Sequence, residues 1–257
     1  NGVHAATWTS PQFQELFDRK IPEWRHDNQY LHNAIGIPLD EIRQAHQIAK
    51  RLMVKTIKEE TGVQLAENVF TLGFARRAAT YKRTDLLFTD IERLGAIAGH
   101  RGGLQIVYAG KAHPQDEAGK EQIRHVFRAR EQLRDKIKVA YLENYSMEIG
   151  KLMTAGADVW LNTPLPPMEA SGTSGMKAAV NGVPSLSVLD GWWIEGCIEG
   201  VTGWSIGPKD GEASVSADHS KDAASLYDKL EQIVMPLFVY NRDDYVEVMR
   251  HAIALNG

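Results

Sequence analysis

Lys177 is a lone lysine in a run of small and apolar residues, directly after the glycine- and hydroxyl-rich segment 171–175. The pattern predicts that a helix begins in this segment and carries Lys177 about one turn inside. Unpaired backbone N–H groups at such a helix start, together with the helix dipole, favour anion binding. Two chemistries are open to the amine: a Schiff base with an aldehyde, or a cation that pairs with a phosphate. An ordinary turn, in which the lysine reaches water, is the alternative.

Glu169 stands just before the same segment, at the end of a proline-rich loop. A carboxylate in this position is suited to accept hydrogen bonds from the hydroxyls of a sugar and not to bind a phosphate. The alternative is an acidic residue that only flanks the helix. The residues by themselves leave both interpretations open.

Four cations lie within eight residues further upstream: Arg76, Arg77, Lys82 and Arg83. The spacing predicts a helix that begins in the region 78–82 and runs towards residue 98. Arg77 would then lie at its N-terminal entrance and Lys82 about a turn inside, so that both converge on one ligand. Cations arranged in this way repel one another unless an anion binds between them. A solvated run of charges is the alternative.

These residues belong to an alternation of short apolar strands and amphipathic helices. Strands are predicted over 68–75, 104–109, 138–142, 158–161, 185–189 and, as a shorter sixth, 202–207. Helices are predicted between them, including 116–133 and 145–154. The alternation predicts an α/β fold with a doubly wound, Rossmann-like parallel sheet. The candidate residues would gather at the carboxyl ends of its strands.

We predict one domain of three parts: leading helices in 1–62, the sheet core in 68–207 and C-terminal helices in 222–257, with a surface loop over 208–218. With 257 residues, of which 43% are hydrophobic, the chain can bury a full core. The start at Asn1, without an initiator methionine, suggests a piece of a longer protein.

Composition also limits the classes of partner. The formal net charge of −4 gives no reason to expect a nucleic-acid or membrane partner, and no apolar run approaches the roughly 20 residues of a membrane helix. The single Cys197 excludes an intrachain disulfide and favours a cytoplasmic setting. The nine histidines show no metal-ligand spacing, so we predict no metal.

The segment 169–177, Glu-Ala-Ser-Gly-Thr-Ser-Gly-Met-Lys, resembles the pyridoxal-phosphate lysine motif of the α-glucan (glycogen, starch and maltodextrin) phosphorylases. The resemblance covers most of the chain, through 1–3 with Trp8, 77–82, 110–114, 143–145 and 189–193. It implies that the chain is the C-terminal domain of a two-domain GT-B enzyme, with the N-terminal domain absent from this chain. Ser174-Gly175 and Arg76 depart from the animal and plant members and are similar to the short bacterial and archaeal branch. These departures put the preferred chain length of the glucan in doubt.

The resemblance also implies a role for individual residues. Pyridoxal 5'-phosphate would be the cofactor, held as an aldimine on Lys177, and its other contacts would come from Thr173, Gly172, Arg76, Tyr145 and Trp8. The substrate phosphate would be held by Arg77 and Lys82, which form the catalytic set with Glu169. The glucosyl hydroxyls would face Asn1, Tyr81, Ser171, Gly172 and Glu169.

The implied reaction is retaining phosphorolysis of an α-1,4-glucan to glucose 1-phosphate. The implied partners are the α-glucan, inorganic phosphate, glucose 1-phosphate and the N-terminal half of the same enzyme, while the oligomeric state stays open. Because a cleft between two domains cannot form from one, we expect this chain alone to fold but not to turn over. A nucleotide-sugar glucosyltransferase of the same architecture, such as glycogen synthase, and a non-catalytic binding module are the alternatives. The lysine eight residues after Glu169 favours the phosphorylase.

Overall fold

A computed structural model describes residues 2–207 and 219–257 of the chain. Its centre is a six-stranded sheet in which every neighbouring pair of strands is parallel. In chain order the strands are β1 (Phe70–Ala75), β2 (Leu104–Ala109), β3 (Lys138–Leu142), β4 (Val159–Asn162), β5 (Ser185–Val188) and β6 (Gly203–Ile206). The order across the sheet is β3-β2-β1-β4-β5-β6. This order confirms the predicted doubly wound, Rossmann-like α/β fold, and its topological switch point lies between β1 and β4.

The helices connect these strands and also precede and follow the sheet. In chain order they are α1 (Ala5–Trp8), α2 (Pro11–Lys20), α3 (Leu39–Thr61), α4 (Ile91–His100), α5 (Glu117–Leu133), α6 (Met147–Gly156), α7 (Ser174–Ala179), α8 (Trp193–Gly196), α9 (His219–Lys229), α10 (Met235–Tyr240) and α11 (Arg242–Asn256). A π-helical segment, Leu230–Val234, joins α9 to α10. Short 3₁₀ turns lie at Pro22–Arg25, Asn28–Gly36, Thr80–Lys82 and Leu86–Phe88.

The sheet is buried on both faces, because its central strands carry apolar side chains in both directions. Successive residues of β2 alternate between two apolar clusters. Ile106 and Tyr108 belong to the larger cluster, and Val107 and Ala109 belong to the smaller one on the other face. The candidate residues lie beyond the carboxyl ends of these strands, where loops are open to ligands.

The prediction of a helix that begins in the region 78–82 is wrong. The chain makes two 3₁₀ turns there, and α4 begins only at Ile91, after Asp90 caps it by accepting a hydrogen bond from the backbone of Arg93. Arg83 ends the first turn in the left-handed region, at φ 46°. Arg77 is therefore not at the N-terminus of a helix.

Tertiary contacts of Arg83 explain this departure from the helical spacing. Its guanidinium donates to the carbonyls of Thr163 and Pro164 at 2.9 and 2.7 Å, and it forms an ion pair with Asp222 at 2.7 Å. The side chain is only 5% exposed. The energy of these buried polar contacts outweighs the modest helical propensity of the segment.

The other boundaries differ from the predicted ones by only a few residues. The helix predicted over 145–154 runs from Met147 to Gly156, because the hydroxyl of Ser146 caps it. The predicted loop 208–218 lies outside the described residues. Within 2–207 and 219–257, no helix has both the length and the apolar character needed to cross a membrane.

Candidate active site at the carboxyl edge of the sheet

A charge cluster stands at the switch point of the sheet. Arg76 directly follows β1, Lys82 lies in the next turn, and Glu169 lies in the loop after the neighbouring strand β4. Oxygen Oε2 of Glu169 accepts hydrogen bonds from Arg76 Nη2 and from Lys82 Nζ, the latter at 2.5 Å. The three side chains are 7%, 9% and 11% exposed for Arg76, Lys82 and Glu169. The fold thus brings three of the predicted residues into direct contact.

The cluster carries more positive than negative charge. Burial raises the pKa of Glu169, but the hydrogen bonds and charges of Lys82 and Arg76 outweigh this effect, so its pKa lies below the ordinary value. The carboxylate is therefore ionised at neutral pH and balances only one of the two cations. The Nη1 atom of Arg76 is buried without a hydrogen-bond partner among the described residues. An additional anion would neutralise the excess charge and could accept this hydrogen bond.

The backbone around Lys82 is held by the loop after β4. The carbonyl of Lys82 accepts a hydrogen bond from the hydroxyl of Thr163 at 2.9 Å, and the carbonyl of Tyr81 accepts one from the backbone of Leu165 at 2.7 Å. The ring of Tyr81 lies beside the cluster, with the Lys82 Nζ 4.5 Å from its centroid. The loops on both sides of the switch point are therefore fixed to each other.

Asp190 positions Glu169, and no role was predicted for it. One carboxylate oxygen of Asp190 accepts the backbone N–H of Glu169 at 2.9 Å, and the other accepts the backbone N–H of Gly191, also at 2.9 Å. Asp190 is only 6% exposed. Gly191 has φ 58°, and a Cβ there would lie 2.3 Å from the carbonyl oxygen of Ser171. The Asp-Gly pair directly after a predicted strand was the signal for this contact.

The small-residue segment turns sharply between Glu169 and α7. Gly172 has φ 75°, and a Cβ there would approach the side chain of Glu169 to 3.3 Å. Thr173 then precedes α7, its carbonyl accepts the backbone N–H of Lys177 at 3.1 Å, and its hydroxyl makes no capping hydrogen bond. Lys177 is the fourth residue of α7, as predicted.

The amine of Lys177 lies over an aromatic ring. Its Nζ is 3.7 Å from the ring centroid of Trp8 and has no hydrogen bond or ion pair with any described residue. Burial lowers the pKa of Lys177. Trp8 and Tyr145 both pack around Gly150, where a Cβ would lie 2.8 Å from the Tyr145 hydroxyl and 3.5 Å from the Trp8 ring. Lys177, Trp8 and Tyr145 therefore form a second group of predicted residues.

Asn181 connects the backbone segments that carry this second group, and the sequence predicts no role for it. Its side chain is fully buried, accepts the backbone N–H of Ser10 at 2.7 Å, and donates to the carbonyls of Trp8 and Lys177, each at 2.9 Å. An asparagine beside a glycine is typical of a turn, so the local pattern does not indicate these long-range contacts.

Arg77 belongs to neither group. Arg77 is exposed and makes no side-chain hydrogen bond or ion pair with the described part of the chain, so its predicted place at a helix entrance is wrong. Asn1 lies outside the described residues. No group of three or more potential metal ligands occurs in 2–207 and 219–257.

Comparisons with known proteins identify the family. A family model described as carbohydrate phosphorylase matches residues 1–232. Maltodextrin phosphorylase of Thermococcus litoralis is 43% identical over 270 residues, which cover 98% of this chain and 32% of that protein. Glycogen phosphorylase of Aquifex aeolicus is 39% identical over 98% of this chain and 40% of its own length. Glycogen phosphorylase of Mycobacterium tuberculosis is 37% identical over 100% of this chain and 32% of its own length.

The chain therefore spans between 32% and 40% of the length of these relatives. The matched region includes both groups of residues at the carboxyl edge of the sheet, since the family match runs from residue 1 to residue 232. The chain belongs to the carbohydrate phosphorylase family.

Proposed function

We propose that this chain is the cofactor- and phosphate-binding part of an α-glucan phosphorylase. The full-length enzyme would convert an α-1,4-glucan and inorganic phosphate to glucose 1-phosphate, with retention of configuration. The observation that carries the proposal is that Glu169 neutralises only one of two buried cations, Arg76 and Lys82, at the switch point of the sheet. The names of the relatives, maltodextrin and glycogen phosphorylase, support the class of substrate.

The excess positive charge is the basis for a substrate-phosphate site. Lys82 is buried and fixed, so it provides a cation whose position does not have to be ordered when the ligand binds. Arg77 is exposed and forms no ion pair within 2–207 and 219–257, so its guanidinium would be able to turn towards the same ligand and bind it through two parallel hydrogen bonds. Together they would hold the phosphate and balance its charge as the glycosidic bond breaks.

Pyridoxal phosphate is the cofactor that we propose for the second group. Lys177 fits, because its amine has no hydrogen bond or ion pair in the part of the chain that the structure describes. Burial also lowers its pKa, which increases the neutral fraction that reacts with an aldehyde. Trp8 and Tyr145 would pack beside the ring. Three donors are suited to the cofactor's phosphate: the hydroxyl of Thr173, which does not cap α7, the backbone of Gly172, and the Nη1 of Arg76, which has no partner among the described residues. Bound there, the cofactor would supply a phosphate group that can hold or release a proton beside the substrate phosphate.

Glu169 is suited to face both the cations and a sugar. Its Oε2 is occupied by Arg76 and Lys82, whereas Oε1 makes no hydrogen bond with any described residue. Oε1 could therefore accept a hydrogen bond from a glucosyl hydroxyl, with Tyr81, Ser171 and Asn1 as further contacts. Asp190 would keep the carboxylate at this point by holding the backbone of Glu169.

The complete active site requires more than this chain. We propose that 1–257 forms a single domain with the parts 1–62, 68–207 and 222–257, and that the N-terminal half of the same enzyme closes a GT-B cleft over the carboxyl edge of the sheet. The glucan would bind between the two halves, so this chain alone would fold without turning over. A cytoplasmic setting suits an enzyme whose substrates are stored glucan and inorganic phosphate.

The direct test is chemical trapping of the cofactor on Lys177. Full-length protein is loaded with pyridoxal phosphate, treated with borohydride, unfolded, and examined by absorbance and peptide mass spectrometry. Wild type and the control Lys58→Ala, an exposed lysine on α3, should keep the label, and Lys177→Ala should lose it. An unlabelled wild-type protein would overturn the proposal.

Substrate assays separate phosphorolysis from the nucleotide-sugar alternative. The phosphorylase should release glucose 1-phosphate from maltodextrin only when inorganic phosphate is present. Glucosyl transfer from UDP-glucose or ADP-glucose, without phosphate-dependent release, would favour a synthase instead. No activity with either donor would favour a binding module.

A further inference from the structure

A cationic groove lies between α3 and α11, at the edge of the sheet opposite to the carboxyl edge. Arg43, His46 and Lys50 line it from α3, and Arg242 and Tyr245 line it from α11. Residues spaced by three, four or seven positions share one face of a helix, so the two helices turn these side chains towards each other. The groove encloses about 260 Å³.

Asp158, just before β4, forms the floor of the groove, and its charge is already balanced. Lys50 Nζ donates to one carboxylate oxygen at 2.5 Å, and the backbone N–H of Thr71 donates to the same oxygen at 2.7 Å. The ring Nε2 of His46 contacts the other oxygen at 3.0 Å. Lys50 and Asp158 are 3% and 1% exposed. The floor therefore adds no free negative charge to the groove.

Arg242 is a cation that forms no ion pair with a described carboxylate. Its guanidinium carbon lies 3.6 Å from the centroid of the Phe238 ring, and it has no ion pair with any residue of 2–207 or 219–257. Burial is the main cause that lowers the pKa of Arg242; the nearby charge of Asp158 opposes this shift, and the like charge of Arg43 adds to it. Arg43 itself is paired with Asp243. Arg51 and Glu67 also line the groove and pair with each other. Among the described residues, one excess positive charge therefore remains in the groove.

Two buried polar atoms beside this charge have no partner. The Nε of Arg43 and the Nδ1 of His46 make no hydrogen bond with any described residue, and His46 is only 7% exposed. Buried polar atoms are nearly always hydrogen-bonded, and an unpaired one costs free energy. A ligand whose oxygen atoms reach both would satisfy the two atoms and the charge of Arg242 together.

We propose that this groove binds a phosphate group, either as inorganic phosphate or as the phosphate of a small monoester, at a site separate from the carboxyl edge of the sheet. Two guanidinium groups suit the spacing of phosphate oxygens. A protonated phosphate oxygen donates to neutral His46 Nδ1, and a charged oxygen accepts from the protonated ring. The volume is below the usual range for drug-sized ligands, about 300 to 1,000 Å³, so the bound group is small.

Equilibrium dialysis of the full-length protein against ³²P-labelled phosphate tests the proposal. Arg77→Ala serves as the background, because it weakens the phosphate site at the other edge. Phosphate should still bind in this background at constant ionic strength, and adding Arg242→Ala should weaken that binding by about tenfold or more. Arg242→Lys, which keeps the charge but not the planar fork, should retain part of it.

Arg93→Ala is the matched control, since Arg93 also lies over an aromatic ring but is paired with Asp228. It should change phosphate binding less than about twofold. Displacement of the label by glycerol phosphate at lower concentrations than by unlabelled phosphate would identify a monoester as the ligand, and the reverse order would identify inorganic phosphate. Loss of all binding in Arg77→Ala, or equal binding with and without Arg242→Ala in folded proteins, would overturn the proposal.

Discussion

Glu169 and Lys82 are 87 residues apart in the sequence, yet a single carboxylate oxygen of Glu169 accepts a hydrogen bond from the lysine at 2.5 Å and a second one from Arg76. The contact joins the loops after β1 and β4, which meet at the switch point of the sheet. Both hydrogen bonds go to Oε2, so Oε1 of Glu169 takes no part in them. The Nη1 of Arg76 has no partner among the described residues. The same three side chains therefore join two loops of the fold and also carry polar atoms that these contacts do not use.

Glu169→Gln should destabilise the protein at neutral pH by about 1 to 3 kcal/mol, because Arg76 and Lys82 lose their counterion. Burial raises the pKa of Glu169, but Lys82 and Arg76 together hold it below its ordinary value of 4.5. A group whose folded-state pKa is depressed contributes stability that is complete above its unfolded pKa and is lost as the pH falls through the folded pKa. The difference between wild type and variant should therefore shrink below about pH 4.5. Urea denaturation across this range measures it, and a difference independent of pH would contradict the ion pairs.

Arg77→Ala should weaken the use of phosphate far more than the use of glucan, by roughly 10²-fold in kcat/KM for phosphate, if the guanidinium contacts the ligand. Stability should be unchanged, because Arg77 is exposed and makes no ion pair with the described residues. Initial rates of phosphorolysis by the full-length enzyme, with each substrate varied in turn, provide the measurement. Arg134→Ala, an exposed arginine whose side chain is 73% exposed, is the control. Equal losses for both substrates would show that Arg77 does not hold the phosphate.

The sheet could be predicted from the sequence because buried parallel strands are short, apolar and separated by amphipathic helices. The strand order could not, since it depends on which side of β1 each crossover passes. That order is what places Glu169 beside Arg76 and Lys82. The sequence identified all three residues as candidates, but it assigned Lys82 to a phosphate and Glu169 to a sugar and did not predict that they touch.

Local residue spacing does not predict the secondary structure correctly where buried polar contacts determine the backbone conformation. The helix predicted at 78–82 is replaced by 3₁₀ turns because Arg83 bonds to distant carbonyls and to Asp222. Asn181 was missed for the same reason, since it acts through contacts with the distant backbone of Ser10 and Trp8. The Asp190-Gly191 pair indicated a turn, but not that Asp190 also reaches the backbone of Glu169. Lys177 was found because its small, apolar neighbours made a lysine unusual there.

Asn181→Ala should destabilise the protein by about 2 to 4 kcal/mol, because it removes a fully buried side chain that bonds to Ser10, Trp8 and Lys177. The segment carrying Trp8 should also loosen, which exposes the amine of Lys177. Thermal unfolding and the rate of lysine labelling by pyridoxal phosphate measure the two effects. Asn28→Ala, which removes only an exposed contact of 3.4 Å, should cost less than about 0.5 kcal/mol. Equal stability of the two variants would contradict the role of Asn181.

Lys50→Met should be among the most destabilising single changes, by about 3 to 5 kcal/mol, because it leaves the buried carboxylate of Asp158 without its main counterion. Methionine keeps most of the side-chain volume, so the loss of charge, and not a cavity, is tested. Lys55→Met on the same helix is the control: its ion pair with Glu59 is 3.9 Å long and well exposed, so it should cost less than about 0.5 kcal/mol. Guanidinium chloride denaturation compares them. A loss in Lys50→Met as small as in Lys55→Met would show that His46 and the backbone of Thr71 are sufficient to hold Asp158.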